Sequence, residues 1–318
     1  MSGFGYRIRD GQGEKVAVKE ALSCPDAFAW VHLSTTAEHA QAWLRDEAKV
    51  PEYLVEALTA QETRPRCDAF DHGAFLNLRG RSDEELGTSD PLASVRIWAT
   101  KGRVISITRK HLLATDTVEQ AVERGEIKDP GDLITEFATA ITEDLDPEVA
   151  QLGDELDDCE QQLDADKVFE LRRSVTKVRV AAINYRRFLS PQRAALERLA
   201  QLPGDWLGDD DRMHINAAAD RAARMAEELE AIRERASLMH EALTDLRAEQ
   251  LDSRSLVIAI AAMVFLPLPF ITGLYGMNVD GLPLAHHPWS FDAIVVACLV
   301  IGGGITAYFV RQHWVRGG

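Results

Sequence analysis

Basic residues are the first shortage in this chain: 35 Lys and Arg stand against 51 Asp and Glu, a net charge of −16 over 318 residues. A phosphate backbone requires basic surface, so nucleic acid is excluded as a partner. Cysteine is scarce too. Cys24, Cys67, Cys159 and Cys298 form no C-x-x-C pair and have no histidine at finger spacing, which reads as a reduced, cytosolic body. The N-terminus lacks the basic, apolar and small-residue regions of a secretory signal. Gly11, Gly13 and Gly102 do not have phosphate-loop spacing, and no nucleophile–base pair or metal-ligand set is visible. An enzyme and a bound cofactor are therefore not expected.

Long apolar runs are missing until the last quarter of the chain. Leu256–Met277 then runs for 22 residues without a charged side chain, and Phe291–Val310 follows after a short loop. As helices of about 1.5 Å rise per residue these reach roughly 30 Å, the thickness of a bilayer core. Arg247 and Arg254 precede the first run, Arg311 and Arg316 follow the second, and the loop Asn278–Ser290 has no Lys or Arg. Both termini are expected on the cytoplasmic side, with a short outer loop between two spans. Trp289, Tyr308 and Trp314 fall near the interfaces.

Residues 1–128 read as an α/β domain. Strands are predicted at Ala29–Leu33, Ala74–Leu78, Ser94–Ala99 and Val104–Thr108, and helices at Thr36–Asp46, Pro51–Thr59 and Thr117–Arg124. Residues 129–208 read as two helical hairpin arms of opposite charge. Residues 129–166 hold fourteen acids and no base, whereas 167–198 hold nine bases and two acids. The arms are expected to attract one another or a neighbouring copy, with an acid-lined regulatory cation site as the functional alternative. After the break at Pro203-Gly204, Asp209-Asp210-Asp211 opens a long helix with no breaker from Arg212 to Leu266. Its apolar positions Leu229, Ile232, Ala236, Met239, Leu243 and Leu246 follow a heptad seam. Residues 209–255 form a stalk that enters the first span, 256–277. Residues 278–290 are the outer loop, 291–310 the second span and 311–318 a cytoplasmic tail.

Two helices cannot enclose water, so a hydrophilic path requires several copies of the chain. One face of the first helix carries Asp252, Ser255, Ala259, Ala262, Leu266 and Pro269, and the opposite face carries the bulkier Val257, Ile260, Val264 and Ile271. The first face is the expected lining. In such a ring, Leu266 would be a hydrophobic constriction and Asp252 a carboxylate ring at the inner mouth. Pro267 and Pro269 remove the donors that the carbonyls of Met263 and Phe265 would use, weakening the helix in mid-bilayer. The first span has no carboxylate, so an ion has to be recognised through its water shell. Asn278 carboxamides at the mouth suit a hydrated dication, since Mg²⁺ dehydrates reluctantly. Gly276 is expected to supply the turn out of the span. Asp280, His286 and His287 in the outer loop are candidate ligands near the entrance.

Phe265-Leu266-Pro267-Leu268-Pro269-Phe270-Ile271-Thr272-Gly273-Leu274-Tyr275-Gly276-Met277-Asn278 resembles the signature span of the CorA metal-ion transporters. Glu62-Thr63-Arg64-Pro65-Arg66, Ser190-Pro191-Gln192-Arg193 and Gly281-Leu282-Pro283 place the likeness closest to the ZntB zinc-transporter branch. The resemblance covers essentially the whole chain. It implies an α+β membrane protein built as a homopentameric funnel in the bacterial inner membrane. First spans would line the pore, and Tyr275, Gly276, Met277 and Asn278 would form the selectivity filter. It implies membrane lipid, divalent cations and protons as partners. Mg²⁺, Co²⁺ and Ni²⁺ are the usual cations of the CorA branch, with gating by cytoplasmic Mg²⁺, and Zn²⁺ that of ZntB, with proton-coupled uptake. Two departures stand out. Pro269 occupies a position that is usually Thr, and the outer loop lacks the Met-Pro-Glu-Leu stretch of CorA proper; with the large body outside the spans, the first departure makes a membrane-anchored scaffold or sensor that moves no ion the alternative of another class.

Overall fold

The computed structural model describes every residue except 1, 24–27, 35–36, 62–63, 71–72, 84–91, 165–166, 205, 278–282, 284–286 and 317–318, and the side chains of 2, 37 and 312–316 are also left undescribed. The chain divides into two compact units, residues 1–163 with 169–240, and residues 164–168 with 241–318.

The first unit opens with a hairpin of Ser2–Arg9 (β1) and Gln12–Val16 (β2) that the strand predictions omitted. Its signal is the pair Asp10-Gly11. Both residues have positive φ, 50° and 80°, the backbone of a two-residue turn that favours Asp-Gly. The short helix Val18–Ala21 (α1) follows, then Phe28–Ser34 (β3) and the helices Ala37–Asp46 (α2) and Glu52–Thr59 (α3). Arg66–Phe70 (β4), Gly73–Arg81 (β5), Leu92–Thr100 (β6) and Arg103–Thr108 (β7) complete a seven-stranded sheet of order β2-β1-β3-β7-β6-β5-β4. β3 and β7 pair in parallel, and the other neighbouring strands of this sheet pair antiparallel. The other predicted strands lie within β3, β5, β6 and β7; β4, short and half-polar, was not foreseen.

The pleat gives the sheet two different faces. Val31, Leu33, Phe75, Trp98, Ile105 and Ile107 pack against Trp43, Leu44, Leu54, Val55 and Leu58 from α2 and α3. Trp30 and His32 point to the other face, where Trp30 meets Phe137 edge-on at 5.9 Å. Phe137 belongs to Pro130–Gln161 (α5), reached through Leu113–Glu123 (α4), which starts four residues before the predicted Thr117 because Ala114 and Thr115 already join the core. Gly80 admits α5 closely, since a β-carbon there would lie 3.0 Å from Ile141 Cγ1. The α5 N-terminus is capped by Asp129, whose side chain accepts from the Asp132 N–H at 3.1 Å, with Pro130 at the first helical position.

Val168–Ala200 (α6) returns beside α5, and Asp209–Phe265 (α7) follows. Gln192 shows why the motif around Pro191 is placed where it is. Its buried Oε1 accepts the Arg79 backbone N–H at 2.8 Å, beyond the last residue pair that β4 makes with β5. The Arg79 guanidinium lies 3.8 Å over the Phe188 ring. The opposite charges of the hairpin arms are used differently from the expectation. Among the described residues, no ion pair joins α5 to α6; both arms pair with α7. Arg235 reaches Asp157 and, at 2.8 Å, Glu160; Arg221 reaches Glu143 at 3.3 Å; Arg186 reaches Glu230 at 3.1 Å. The seam residues Leu229, Ile232, Ala236 and Met239 are buried within the single chain. The heptad pattern therefore serves a three-helix core with the hairpin, needing no second copy.

The second unit contains the end of α7, then Pro267–Tyr275 (α8) and Ser290–Arg316 (α9). The division between α7 and α8 falls at Leu266, where Pro267 lacks the N–H that would continue the ladder. Leu266 itself still donates to the Ala262 carbonyl at 2.8 Å. α9 continues past Val310 to Arg316, and Asp292 stands in its first turn.

Candidate ion path

Among the described residues, two helical stretches are long and apolar enough to cross a membrane, the end of α7 with α8 and Ser290–Arg311 of α9. Each has a mean hydropathy of 2.3 over its best window, and neither window is buried within the chain. Apolar side chains such as Phe265 and Leu299 are exposed there, as lipid contact requires.

Their packing sorts the residues of the first span by face. From Leu256 to Tyr275 the half-covered positions are Leu256, Ile260, Val264, Pro267, Leu268, Ile271 and Tyr275, a stripe at spacings of three and four. The matching stripe on α9 includes Ile294, Cys298, Gly302, Ile305 and Phe309. Gly302 marks the approach: a β-carbon there would lie 3.8 Å from Val264 Cγ1. α9 thus covers the Val264 side, and the predicted lining residues Asp252, Ser255, Ala259, Ala262, Leu266 and Pro269 are all exposed on the other side. Leu266 is the most open of them among large apolar side chains, at 77%. Of the bulky face, Ile260, Val264 and Ile271 belong to the covered stripe, whereas Val257 is exposed. The four-residue repeat on α9 was available in the sequence and would have identified its contact face.

Two hydroxyls in the spans are used locally. Thr272 Oγ1 donates to the carbonyls of Leu268 at 3.0 Å and Pro269 at 3.3 Å, and Thr306 Oγ1 donates to Gly302 at 2.8 Å.

Among the residues expected to form the filter, Tyr275 lies on the covered stripe and Met277 is exposed. Gly276 corrects an expectation. Its φ and ψ of −85° and −3° are ordinary right-handed values open to any residue, so no special turn is needed there; its N–H closes the helix onto Thr272 at 2.9 Å. Asn278, Asp280 and His286 lie outside the described residues. Among the described residues His287 meets no other candidate ligand; its carbonyl accepts from the Ser290 N–H and hydroxyl, and its ring lies 5.7 Å from that of Trp289.

The acidic segment brings Asp129 and Asp132 to Asp211, with candidate oxygens within 4.8 Å of one another. Each is already a helix-end acceptor: Asp129 for the Asp132 N–H, Asp132 for Lys128 at 2.8 Å and Asp211 for Gly208 at 2.8 Å. Burial raises the Asp211 carboxyl above the usual carboxylate range, and Asp129, Asp132 and Asp210 add to the effect.

A family model described as CorA-like Mg²⁺ transporter protein matches residues 25–311. The chain belongs to the CorA-like family. It is 29% identical to the zinc transport protein ZntB of Pectobacterium atrosepticum over 304 residues, covering 95% of this chain and 91% of that one. It is 32% identical to the divalent cation transporter CmaX of Pseudomonas aeruginosa over 321 residues, covering 99% and 95%. The structure of full-length CmaX matches with a TM-score of 0.75 at 31% identity, over 98% of this chain and 96% of that one. Membership makes this CorA-like chain an ion transporter rather than an enzyme. The α/β sheet unit, the long helix and the two C-terminal apolar helices are its architecture.

Proposed function

We propose that this chain carries divalent cations across the bacterial inner membrane, Zn²⁺ in preference to Mg²⁺, through a pore formed by a homopentamer. In this reading, proton-coupled uptake drives entry, and Asn278 from each copy forms the filter at the outer mouth. The observation that carries the reading is the exposed face Asp252–Pro269, which α9 leaves uncovered while it takes the Val264 side. One polar end, small side chains and a Leu266 constriction suit a hydrated ion passing without being stripped. Residues 256–277 and 291–310 are the spans, 278–290 the outer loop and 311–318 a cytoplasmic tail. The zinc preference is supported by the likeness to ZntB along 95% of the chain.

The sequence Tyr275-Gly276-Met277-Asn278 favours a second reading, a Mg²⁺ or Co²⁺ channel gated by cytoplasmic Mg²⁺, because it closes the stretch that resembles the CorA signature span. Uptake into proteoliposomes separates the two. Zn²⁺ and Mg²⁺ are compared with and without a pH gradient. Zn²⁺ entry enhanced by the gradient is the expected result. Mg²⁺ entry indifferent to protons, with Zn²⁺ excluded, selects the second reading, and no movement of any dication removes both.

A further inference from the structure

Pro267 and Pro269, both within three residues of the helix division, look equivalent in sequence, but the structure places them on different sides. Pro267 is half-covered and belongs to the stripe that faces α9. Pro269 is exposed and shares the opposite face with Ala262 and Leu266. A helical carbonyl points along the axis toward the residue four positions on, so Met263 aims at Pro267 and Phe265 at Pro269. Neither proline has an N–H to offer. The Met263 carbonyl is thereby released on the α9 side and the Phe265 carbonyl on the uncovered side. The nearest hydroxyl of the span, Thr272, is directed to Leu268 and Pro269 instead.

A carbonyl without its helical donor is tolerated at membrane depth only where it meets protein or water. We infer that the Phe265 main-chain carbonyl is a polar contact of the ion path, a ring of acceptors on the outer-loop side of the Leu266 constriction. This inference rests on the pore reading above. Its ligand is the water shell of a divalent cation: the shell's outward hydrogens need acceptors as it leaves a dry apolar ring, and the first span has no carboxylate to supply them. The lining face contains no side-chain oxygen between Ser255 and Pro269, so a main-chain oxygen is the acceptor available at that depth.

The test compares dication flux through the full chain in proteoliposomes, with assembly of each variant checked by size-exclusion chromatography. Pro269→Ala returns the N–H and closes the Phe265 carbonyl; flux is expected to fall at least about tenfold. Pro269→Thr also returns the N–H but adds a hydroxyl acceptor on the same face, and is expected to keep flux within about threefold of the parent. Pro267→Ala closes the Met263 carbonyl on the α9 side and is expected to leave flux within about twofold. If Pro269→Ala does not assemble, Pro269→Gly is judged by the same criterion. Unchanged flux in Pro269→Ala overturns the inference. So does equal loss in Pro267→Ala, which would mean that helix straightening is the cause. A parent chain that moves no dication rejects the pore reading itself, a result distinct from a working parent with an indifferent Pro269→Ala variant.

Discussion

His32 makes the stability of the sheet unit depend on acid in a way that can be worked out. Its ring is 4% exposed, stacked 5.1 Å from Phe4, with Nδ1 2.8 Å from Ser106 Oγ and Nε2 3.3 Å from Thr108 Oγ1. Burial pushes its pKa from the ordinary 6.5 down to about 4; the Glu119 charge opposes this and His111 adds to it. The folded chain therefore binds the proton more weakly than the unfolded chain. The stability involved is fully present above pH 6.5 and is lost as pH falls toward 4. At about 1.36 kcal/mol per pH unit the loss comes to about 3 kcal/mol. His32→Gln preserves a donor and an acceptor but does not titrate. Thermal unfolding of the detergent-solubilised chain, followed by tryptophan fluorescence, should show the parent losing roughly 6–12 °C more than the variant between pH 7 and pH 4. Parallel pH curves for the two proteins would refute the reasoning.

Asp211 predicts the opposite sign. Its raised folded pKa means that its contribution is most favourable when protonated and is lost as pH rises through that value. Asp211→Asn should therefore melt higher than the parent at pH 7 and coincide with it at about pH 3, below the usual carboxylate range; a lower melting temperature at pH 7 would count against it. Asn278→Ala should abolish selectivity among dications while the oligomer survives size-exclusion chromatography. Unaltered selectivity in that variant would remove Asn278 from the filter.

The sequence was most legible where one physical demand dominated. Four core strands announced themselves through β-branched and apolar runs, and the two spans through length and lack of charge. β1 was legible, since Phe4, Tyr6 and Ile8 alternate with Gly5, Arg7 and Arg9 and Asp10-Gly11 encodes the turn that follows; β2, five residues of mostly polar character, carries little signal of its own. The partners of the charged arms were not legible. Ion pairing is decided by which helices lie side by side, and the acids of α5 find Arg221 and Arg235 far along the chain. The face of the first span was deducible from side-chain size, since bulky Ile260 and Val264 seek a neighbour and small Ala259 and Ala262 do not. What sequence alone could not separate was Pro267 from Pro269, because that distinction depends on where α9 packs.

If the uncovered face of the first span carries the ions, its side chains are open to water during flux, and a water-soluble thiol reagent reads this out. In a background with Cys24 and Cys298 replaced by alanine, Ala262→Cys and Val264→Cys are each exposed to a charged methanethiosulfonate reagent during dication flux. Ala262 lies on the uncovered face and Val264 beneath Gly302 of α9. The reagent is expected to stop flux through the Ala262→Cys protein and to leave the Val264→Cys protein conducting. Block at Val264 with free passage at Ala262 would show that this face does not carry the ions.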